Sequence, residues 1–227
     1  MESNEIFGFD FRKSWEYENG FYLTSPSSRI AKSIAHYELY KKIIGLPGEV
    51  VECGVFKGAS LIRFATFREI TESQFSRKII GFDAFGKFPD NVSMVTDKKF
   101  IKKFETETGD GIPKNDLENI LRYKNFQNIY LVKGNIPDIF SEYFDQKPAT
   151  QIALLHIDVD VYEATKACLE YLYERVVKGG IIVFDDYGQI NGATHAINEF
   201  IKSSGKDINM IQKMPYNYIP AFMIKEQ

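Results

Sequence analysis

Carboxylates stand at the ends of three apolar, strand-like runs, and they are the side chains of this sequence best suited to do chemistry. Glu52 closes the first run, Asp158 follows the second, and Asp185 and Asp186 follow the third. In an open parallel α/β sheet the carboxyl ends of the strands form one edge, and ligands bind in the crevice there. We therefore expect these carboxylates to meet at one active site.

A junction with two glycines follows the first run. Gly54 and Gly58 let a ligand approach the backbone where the predicted strand passes into a helix, whose first N–H groups are unpaired. The spacing of a dinucleotide-binding motif is absent. Instead, Glu52 precedes the first glycine and Asp83 closes the next strand. Such carboxylates can offset a sulfonium charge and bind ribose hydroxyls, although similar junctions are also common in proteins without a ligand there.

Alternating elements must position these residues. Strands are predicted at 49–53, 78–82, 128–133, 151–157 and 181–184, and helices at 29–40, 59–70, 114–124, 161–177 and 193–202. This alternation predicts a doubly wound, mostly parallel α/β sheet. Two more β-rich pieces, 208–213 and 221–225, have no helix between them, so they predict an antiparallel C-terminal hairpin in a sheet of seven strands.

Two segments extend the α/β domain, which is predicted at 48–227. The N-terminal part, 1–47, begins with an aromatic-rich arm without clear periodicity and continues into a helix. We predict that this part forms a lid over the site or contacts another subunit. A polar segment at about 86–113 interrupts the α/β repeat. It leaves the carboxyl end of the second strand, so we predict a substrate-side loop.

The composition bounds the class of protein. A chain of 227 residues with 44% hydrophobic residues suits one α/β domain with modest additions. The net charge is -3 and the basic residues are scattered, which argues against a nucleic-acid partner. No apolar run approaches the roughly 20 residues that span a bilayer, and the first residues lack signal-peptide features, so we expect a cytoplasmic protein without a membrane partner. Cys53 and Cys168 lack metal-site spacing and are predicted to be small buried residues.

Five motifs resemble those of the macrocin O-methyltransferase family in their order and approximate spacing, and the resemblance runs from about Arg29 to Phe200. Members of this family are metal-dependent sugar O-methyltransferases with the class I S-adenosylmethionine fold. The paired Asp-x-Asp-x-Tyr and Asp-Asp-Tyr-Gly motifs are much more specific than the glycine junction. The segments that carry the resemblance are 51–58, 81–85, 133–135, 157–165 and 183–188.

The resemblance implies a class I methyltransferase, Rossmann-like fold with S-adenosylmethionine as cofactor. Glu52, Gly54 and Gly58 would line its methionine and ribose end, Asp83 would hold the ribose, and Asn135 would lie near the adenine. The whole set of cofactor-binding residues that the resemblance implies is Glu52, Gly54, Val55, Phe56, Gly58, Asp83, Ala84, Asn135 and Asp158.

Three positions depart from the expected patterns. Phe56 stands where many class I methyltransferases have the middle glycine of the junction. His156 and Val159 stand where the family often has Arg and Gly, which indicates a different substrate-side surface.

Asp158, Asp185 and Asp186 are the predicted metal ligands. Oxygen ligands without His or Cys indicate Mg²⁺ or a similar ion, and adjacent carboxylates at the end of a buried strand repel each other unless a cation or donors offset them. Asp158 is also our first choice for assisting proton removal, and the family resemblance points to the same residue. Asp160 has a structural interpretation, because Asp160 and Glu163 have the spacing of a helix capping box.

The histidines have competing interpretations. His156 would face the same side of its strand as Asp158, but a histidine in an apolar strand is more often a satisfied core residue. His195, early in the helix after Asp186, is predicted to have a surface or capping role. His36 is another residue that could reach the rim of the site.

Together these features predict an S-adenosylmethionine- and Mg²⁺-dependent O-methyltransferase. Its acceptor would be a hydroxyl of a sugar or sugar-like vicinal diol, in natural-product or surface-polysaccharide biosynthesis. A catechol-type methyltransferase is the alternative enzyme, because the same metal geometry would hold two phenolic oxygens. A non-catalytic methyltransferase-like binding module is the alternative from another class, and a homodimer is implied only by the family resemblance.

Overall fold

The structure is a computed structural model that describes residues 5–90, 92–215 and 217–226. Within these ranges the chain forms nine strands, eight α-helices and three short 3₁₀ turns, and no helix there is long and apolar enough to cross a bilayer. The strands are β1 (Glu5–Ile6), β2 (Phe9–Asp10), β3 (Glu49–Cys53), β4 (Ile79–Asp83), β5 (Ile129–Lys133), β6 (Ile152–Ile157), β7 (Val176–Phe184), β8 (Gln212–Met214) and β9 (Asn217–Ile224). The α-helices are α1 (Ser14–Thr24), α2 (Ser27–Lys41), α3 (Ala59–Thr71), α4 (Val95–Thr108), α5 (Lys114–Tyr123), α6 (Ile136–Asp145), α7 (Tyr162–Leu172) and α8 (Asn191–Ser203).

Seven strands form one twisted sheet in the order β5-β4-β3-β6-β7-β9-β8. Strands β3 to β7 are parallel, whereas β9 runs antiparallel to both β7 and β8. The predicted doubly wound α/β sheet with an antiparallel C-terminal hairpin is therefore confirmed. The order reverses between β3 and β6, and this is the position where open α/β sheets bind ligands.

Helices cover both faces of the sheet, because successive residues of each buried strand point to opposite faces. Val51 and Leu155 face a core formed with α6, α7 and α8, whereas Val50 and Leu154 face a core formed with α2, α3 and α5. Every residue of β6 is buried, as is typical of a strand inside a parallel sheet. The two cysteines, Cys53 and Cys168, are free and buried in the first core, as predicted.

Three helices were not predicted, and one of them, α4, lies in the segment predicted as a substrate-side loop. Helix α6 follows β5, and its residues Ile136, Phe140 and Phe144 recur every four positions and are buried, so the signal was present in the sequence. Helix α1 lies in the arm that we expected to be aperiodic. None of its 11 residues is buried, which explains why no apolar stripe marks it.

The boundary between α7 and β7 also differs from the prediction. The predicted helix 161–177 is wrong in its last turn, because α7 ends at Leu172, a 3₁₀ turn follows, and β7 already begins at Val176. Residues 178–180, between the predicted helix and the predicted strand 181–184, also belong to β7, and the N–H of Gly179 donates to the carbonyl oxygen of Lys225 at 2.7 Å. Long-range pairing with the C-terminal hairpin therefore overrides the local turn signal.

A buried ion pair closes the amino-terminal edge of the sheet. Arg77 lies 2.8 Å from Glu72, and the two side chains are 4% and 9% exposed. The same guanidinium donates to the carbonyl oxygens of Gly48 at 2.9 Å and Ile43 at 3.2 Å. One side chain thus connects the segment after α2 with the segment between α3 and β4.

Substituting Arg77 is expected to destabilise the fold strongly. The Arg77→Met variant leaves the Glu72 carboxylate buried without its cationic partner, and we expect a loss of about 3–5 kcal/mol in the free energy of unfolding. Urea denaturation measures this difference. The matched control is Lys114→Met, because Lys114 pairs with Glu118 near the surface, where the two side chains are 34% and 43% exposed respectively. An exposed ion pair contributes less than about 1 kcal/mol to the free energy of unfolding. Equal effects of the two substitutions would contradict the prediction.

Candidate active site

A cavity of about 450 Å³ opens at the carboxyl ends of the central parallel strands. Glu52 and Gly58 do not line it, and Glu52 is fully buried. Their assignment to the cofactor stays a prediction. The other residues named from the sequence for the cofactor and the metal all line this cavity: Gly54, Val55, Phe56, Asp83, Ala84, Asn135, Asp158, Asp185 and Asp186.

Gly54 sets the floor of the cavity where β3 meets β6. Its φ is +88°, and a Cβ there would lie 1.7 Å from the carbonyl oxygen of Asp158. Only glycine permits this approach, because the obstacle is backbone and cannot rotate away. Gly58 has a different reason: its φ is +82°, and a Cβ there would lie 2.8 Å from Leu117 of α5. Gly54 therefore allows β3 to approach the end of β6 closely, and Gly58 allows α3 to approach α5.

Phe56, which stands where many class I methyltransferases have a glycine, adopts a left-handed backbone conformation. Its φ is +50°, a region that glycine enters freely and that is strained for a bulky side chain. Its ring lies 5.2 Å from that of Phe104 in α4. The junction therefore keeps the path that a glycine would give, and adds an aromatic contact to a neighbouring helix.

Asp83 holds this junction from the end of β4. Its carboxylate accepts hydrogen bonds from the N–H groups of Val55 at 2.7 Å, Phe56 at 2.9 Å and Phe85 at 2.5 Å. Burial raises the pKa of Asp83, and these three donors offset the effect only partly. Asp83 thus has a structural role in the junction, and its contact with a ribose stays a prediction.

The segment predicted as a loop at about 86–113 contains helix α4, which forms one wall of the cavity. Near its start, Asp97 accepts a hydrogen bond from the N–H of Tyr162 at 2.8 Å. After its end, the N–H of Ile112 donates to the carbonyl oxygen of Phe56 at 2.8 Å. Phe104 faces the cavity between these two attachments. The described residues of this segment therefore form a wall of the cavity that is attached to α7 and to the glycine junction.

Three carboxylates meet at the ends of β6 and β7. Asp158, Asp160 and Asp186 each place an oxygen within 4.8 Å of the others. The backbone N–H of Asp160, whose φ is +61°, donates to Asp186 at 2.9 Å. The capping-box prediction for Asp160 is wrong, because the residue before α7 is Val161 and no side chain caps the helix there. The carboxylate of Glu163 instead accepts the N–H of Ser93 at 2.8 Å.

The electrostatics of this acidic triad favour a bound cation. Burial, together with the charges of neighbouring carboxylates, raises the pKa values of Asp158 and Asp186 well above the ordinary value of an aspartate. The same causes raise the pKa of Asp160 to about 8. A divalent cation would remove this penalty, because it offsets the mutual repulsion of the three groups. Three carboxylate oxygens are the donors that Mg²⁺ prefers. The residues of the triad thus fit a hard divalent ion.

Asp185 makes contacts that the sequence did not reveal. One carboxylate oxygen lies 2.5 Å from the ammonium of Lys32, and the other lies 3.7 Å from Nε2 of His36 and 3.6 Å from Nε2 of His156. Burial opposes ionisation of Asp185, but these contacts outweigh it and hold its pKa well below its ordinary value. In the structure Asp160, and not Asp185, lies with Asp158 and Asp186 in the acidic triad. Asp185 contacts Lys32 and the two histidines instead, and the role of Asp185 as a metal ligand stays a prediction.

His156 connects Asp185 to Glu52. Its Nδ1 lies 3.0 Å from the Glu52 carboxylate, and both side chains are fully buried. Burial opposes a charge on His156, but the two carboxylates outweigh it and raise its pKa to about 10. The histidine is buried as predicted, and it is also a cation held between two anions. This network supports the orientation of Asp185 at the cavity edge.

The other two histidines have simpler outcomes. His36 was considered a rim residue, but it is fully buried, and burial lowers its pKa to about 3. Its Nδ1 lies 2.9 Å from a guanidinium nitrogen of Arg63. His195 is exposed, and its ring lies 5.5 Å from that of Tyr162, which agrees with a surface role.

Sequence reasoning missed the cations that line the cavity from α2 and α3. Arg29, Lys32 and Arg63 all face it. A signal was available, since Arg29, Lys32 and His36 are spaced three and four residues apart and so lie on one face of α2. A polar stripe of this kind on a helix that must also bury apolar residues indicates a polar neighbour.

The pKa shifts predict how pH and Mg²⁺ affect stability. The pKa of Asp160 is about 8 in the folded protein against 3.8 ordinarily, and that of His156 is about 10 against 6.5. In both cases the folded state holds a proton that the unfolded chain has released, so the stability of the metal-free protein falls as pH rises through each of these windows.

Mg²⁺ is expected to counter this loss, because its ligands must be deprotonated to bind it. We therefore expect Mg²⁺ to raise the melting temperature more at about pH 8.5 than at about pH 6. Differential scanning fluorimetry with and without chelator measures both values. An equal or larger Mg²⁺ effect at the lower pH would contradict the assignment of the acidic triad.

Comparison with known proteins gives a consistent set of matches. The family model described as Macrocin-O-methyltransferase (TylF) matches residues 36–216. The chain is 27% identical over 161 residues to 8-demethyl-8-(2,3-dimethoxy-alpha-L-rhamnosyl)-tetracenomycin-C 4'-O-methyltransferase of Streptomyces olivaceus, covering 69% of this chain and 59% of that protein. It is 29% identical over 161 residues to mycinamicin III 3''-O-methyltransferase of Micromonospora griseorubida, covering 69% and 61% respectively. The chain thus spans about three fifths of the length of these relatives.

Solved structures share the fold over more of the chain. The crystal structure of CalS11, calicheamicin methyltransferase, has a TM-score of 0.70 and 25% sequence identity, covering 93% of this chain and 85% of that one. The structure of the O-methyltransferase NovP has a TM-score of 0.71 at 20% identity, covering 86% and 79% respectively, and it supports the fold alone. The architecture is that of the class I methyltransferases, as predicted.

Proposed function

Because the chain belongs to the macrocin-O-methyltransferase family, we propose that it is an S-adenosylmethionine- and divalent-metal-dependent O-methyltransferase. The observation that carries this proposal is the acidic triad of Asp158, Asp160 and Asp186, which lies in the same cavity as the glycine junction at Gly54. A nucleotide-like donor at the junction and an acceptor hydroxyl at the triad would then be neighbours.

The junction supplies the proposed cofactor site. Gly54 lines the cavity where β3 approaches β6, and Asp83 holds the following loop by accepting the N–H groups of Val55 and Phe56. Asn135, at the start of α6, lines the cavity, which supports its proposed place near the adenine. The reactive methyl group belongs to the cofactor, so the task of the protein is to position it.

The acidic triad supplies the proposed metal site, with Asp185 at its side. A bound divalent cation would lower the proton affinity of the acceptor hydroxyl and orient two neighbouring oxygens. Asp158, Asp160 and Asp186 would hold that ion through oxygen atoms. Lys32, His36 and His156 would keep Asp185 ionised and fixed in direction.

A carboxylate of the triad would take the proton from the acceptor hydroxyl. Asp158 remains our first choice, since it lies at the end of β6 against the glycine junction. Asp160 is a second candidate, because its carboxylate lies in the same triad. The turnover of the Asp158→Asn and Asp160→Asn variants distinguishes the two assignments.

The proposed acceptor is a sugar or sugar-like vicinal diol. The names of the two curated relatives above support this class, since one acts on a rhamnosyl-bearing compound and both are O-methyltransferases of natural products. A catechol-type acceptor is the alternative, because two phenolic oxygens would fit the same triad. Natural-product or surface-polysaccharide biosynthesis and a cytoplasmic location stay predictions from the sequence.

The test separates cofactor binding from turnover. S-adenosylhomocysteine, but not NAD, is expected to raise the melting temperature, since only a ligand that prefers the folded state does so. Transfer of a labelled methyl group from S-adenosylmethionine to a methyl rhamnoside, and separately to catechol, then identifies the acceptor class. Loss of transfer on adding chelator would support the metal. A protein that binds the cofactor but methylates neither acceptor would favour a binding module.

We also propose that the N-terminal arm packs over the acceptor or against a second copy of the chain. Helix α1 has no buried residue, and Trp15 and Leu23 are 75% and 85% exposed. A helix of this length is marginal in water by itself. Removing residues 1–24 is expected to lower the mass measured by light scattering or to raise the KM for the acceptor. Unchanged mass, activity and cofactor affinity would refute this proposal.

A further inference from the structure

Arg63 presents unused hydrogen-bond donors to the cavity. This residue lies in the second turn of α3, is half-buried and lines the cavity. Its hydrogen bond in the described part of the chain joins one guanidinium nitrogen to Nδ1 of His36 at 2.9 Å. No carboxylate of the described residues lies within 4.0 Å of its guanidinium. A guanidinium has five N–H donors, so most of them lack a protein partner.

His36 holds this guanidinium in place. The imidazole is fully buried, neutral because burial lowers its pKa, and stacked on Phe64 with ring centroids 5.2 Å apart. Since Arg63 can only donate, Nδ1 of His36 must be the acceptor of their hydrogen bond. The side chain of Arg63 is therefore pre-organised, which reduces the entropy lost when it binds a ligand.

Arg29 adds a second cation to the same side of the cavity. It lies in the first turn of α2, is exposed and lines the cavity, and no described carboxylate pairs with it. Burial lowers the pKa of Arg63, and the positive charge of Arg29 lowers it further, so the two guanidinium groups repel each other. The third cation here, Lys32, is already paired with Asp185. An anion bound between Arg29 and Arg63 would be attracted to both guanidinium groups and would offset their mutual repulsion.

Acidic groups lie next to this basic pair. Asp185, which lines the same cavity and stays ionised, and the buried Glu52 favour the protonated form of Arg63. Within the cavity, the two arginines therefore lie beside the ionised carboxylate of Asp185. Such a charge pattern is complementary to a ligand that carries a carboxylate close to a positive group, and it disfavours a ligand that is only anionic unless a metal ion is also bound.

We propose that Arg63 and Arg29 form an anion-binding subsite on the α2–α3 side of the cavity, which takes a carboxylate or phosphate group of a bound ligand. Two ligands could supply this chemistry: the α-carboxylate in the methionine part of S-adenosylmethionine, or an acidic group on the acceptor. The inference rests on the proposed function, because it assumes that the cavity binds this cofactor. Arg63 matches a carboxylate through two parallel N–H···O bonds.

The test compares ligands that differ only in the anion. Calorimetry would measure the affinities of S-adenosylhomocysteine and of 5′-methylthioadenosine, which lacks the amino-acid part, for the wild type, Arg63→Gln and Arg29→Gln. A third titration adds pyrophosphate to the protein saturated with S-adenosylhomocysteine and Mg²⁺. Arg29→Gln removes an exposed side chain without a described partner, so its result does not depend on the packing around His36. Lys87→Gln is the matched control, because it removes a positive charge from another wall of the cavity.

If the cofactor supplies the anion, both arginine variants bind S-adenosylhomocysteine about tenfold or more weakly and bind 5′-methylthioadenosine within about twofold of the wild type. If the acceptor supplies it, both adenosine ligands bind normally and the pyrophosphate titration is lost in the two variants. Arg63→Lys should recover only part of the affinity, because an ammonium cannot form the paired contact.

Two results would overturn the subsite. One is unchanged affinity for all three ligands in both variants. The other is an equal loss for S-adenosylhomocysteine and 5′-methylthioadenosine, which would indicate a general disturbance of the cavity. A wild-type protein that binds neither adenosine ligand would instead refute the proposed function, and the pyrophosphate titration of the Mg²⁺-loaded protein would then decide on the subsite alone.

Discussion

Asp158→Asn is expected to lower the rate of methyl transfer by about 10²–10⁴-fold, and to leave the affinity for S-adenosylhomocysteine within about twofold. The substitution keeps the shape of the side chain but removes one charge from the acidic triad and its capacity to accept a proton. Asp158 lies where the end of β6 meets the glycine junction. The loss should therefore appear in turnover and in the response to Mg²⁺, while the binding of the cofactor product persists.

Two comparisons make this result specific. Asp186→Asn removes a charge from the other strand end of the triad, so it should also abolish the Mg²⁺-dependent rise in melting temperature. Asp145→Asn is the control, because Asp145 is exposed at the end of α6 and away from the cavity. Full activity of Asp158→Asn after treatment with chelator would show that neither a metal nor this carboxylate takes part in the reaction.

The strand ends of the site could be predicted because each is fixed by a local pattern. Buried parallel strands are continuous apolar runs, and the residue after such a run lies at the edge of the sheet. Asp83, Asp158 and Asp186 follow from this rule, and all three line the cavity. The seven-stranded topology follows from the same alternation of strands and helices.

What the sequence did not reveal depends on contacts between distant elements. Asp185 and Asp186 are neighbours in sequence, yet one contacts Lys32 of α2 and the other accepts the N–H of Asp160. No local sequence pattern predicts which of the two carboxylates contacts which partner. Asp160 was interpreted as a helix cap because its spacing to Glu163 fits one, but its left-handed backbone places it in the triad instead.

Helix α4 was missed for a different reason. Its apolar residues Phe100, Ile101 and Phe104 have helical spacing, but they are only half-buried among many charged residues, and its one buried residue is Asp97. The helix is instead stabilised by contacts at its ends and by Phe104, which packs on Phe56. Polar segments with tertiary attachments of this kind are the part of a site that pattern reasoning cannot distinguish from a loop.

Gly54→Ala is expected to destabilise the protein strongly, because a Cβ there makes the closest contact found at any of its glycines. The new Cβ would lie 1.7 Å from the carbonyl oxygen of Asp158, so β3 and β6 would have to separate where they form the floor of the cavity. The backbone at Gly54 also has a φ of +88°, which is strained for alanine. We expect a loss of at least about 3 kcal/mol in the free energy of unfolding and no detectable binding of S-adenosylhomocysteine.

Gly86→Ala is the matched control for this prediction. Gly86 also lines the cavity, but a Cβ added there meets no atom within 4 Å, and its φ lies outside the left-handed region. Urea denaturation and calorimetry of the two variants should therefore give opposite results, with near-native stability and affinity for Gly86→Ala. A methyl group cannot occupy the space of a backbone carbonyl. If Gly54→Ala nevertheless kept its stability and its affinity for S-adenosylhomocysteine, the close approach of β3 to β6 could not be what shapes the cofactor site.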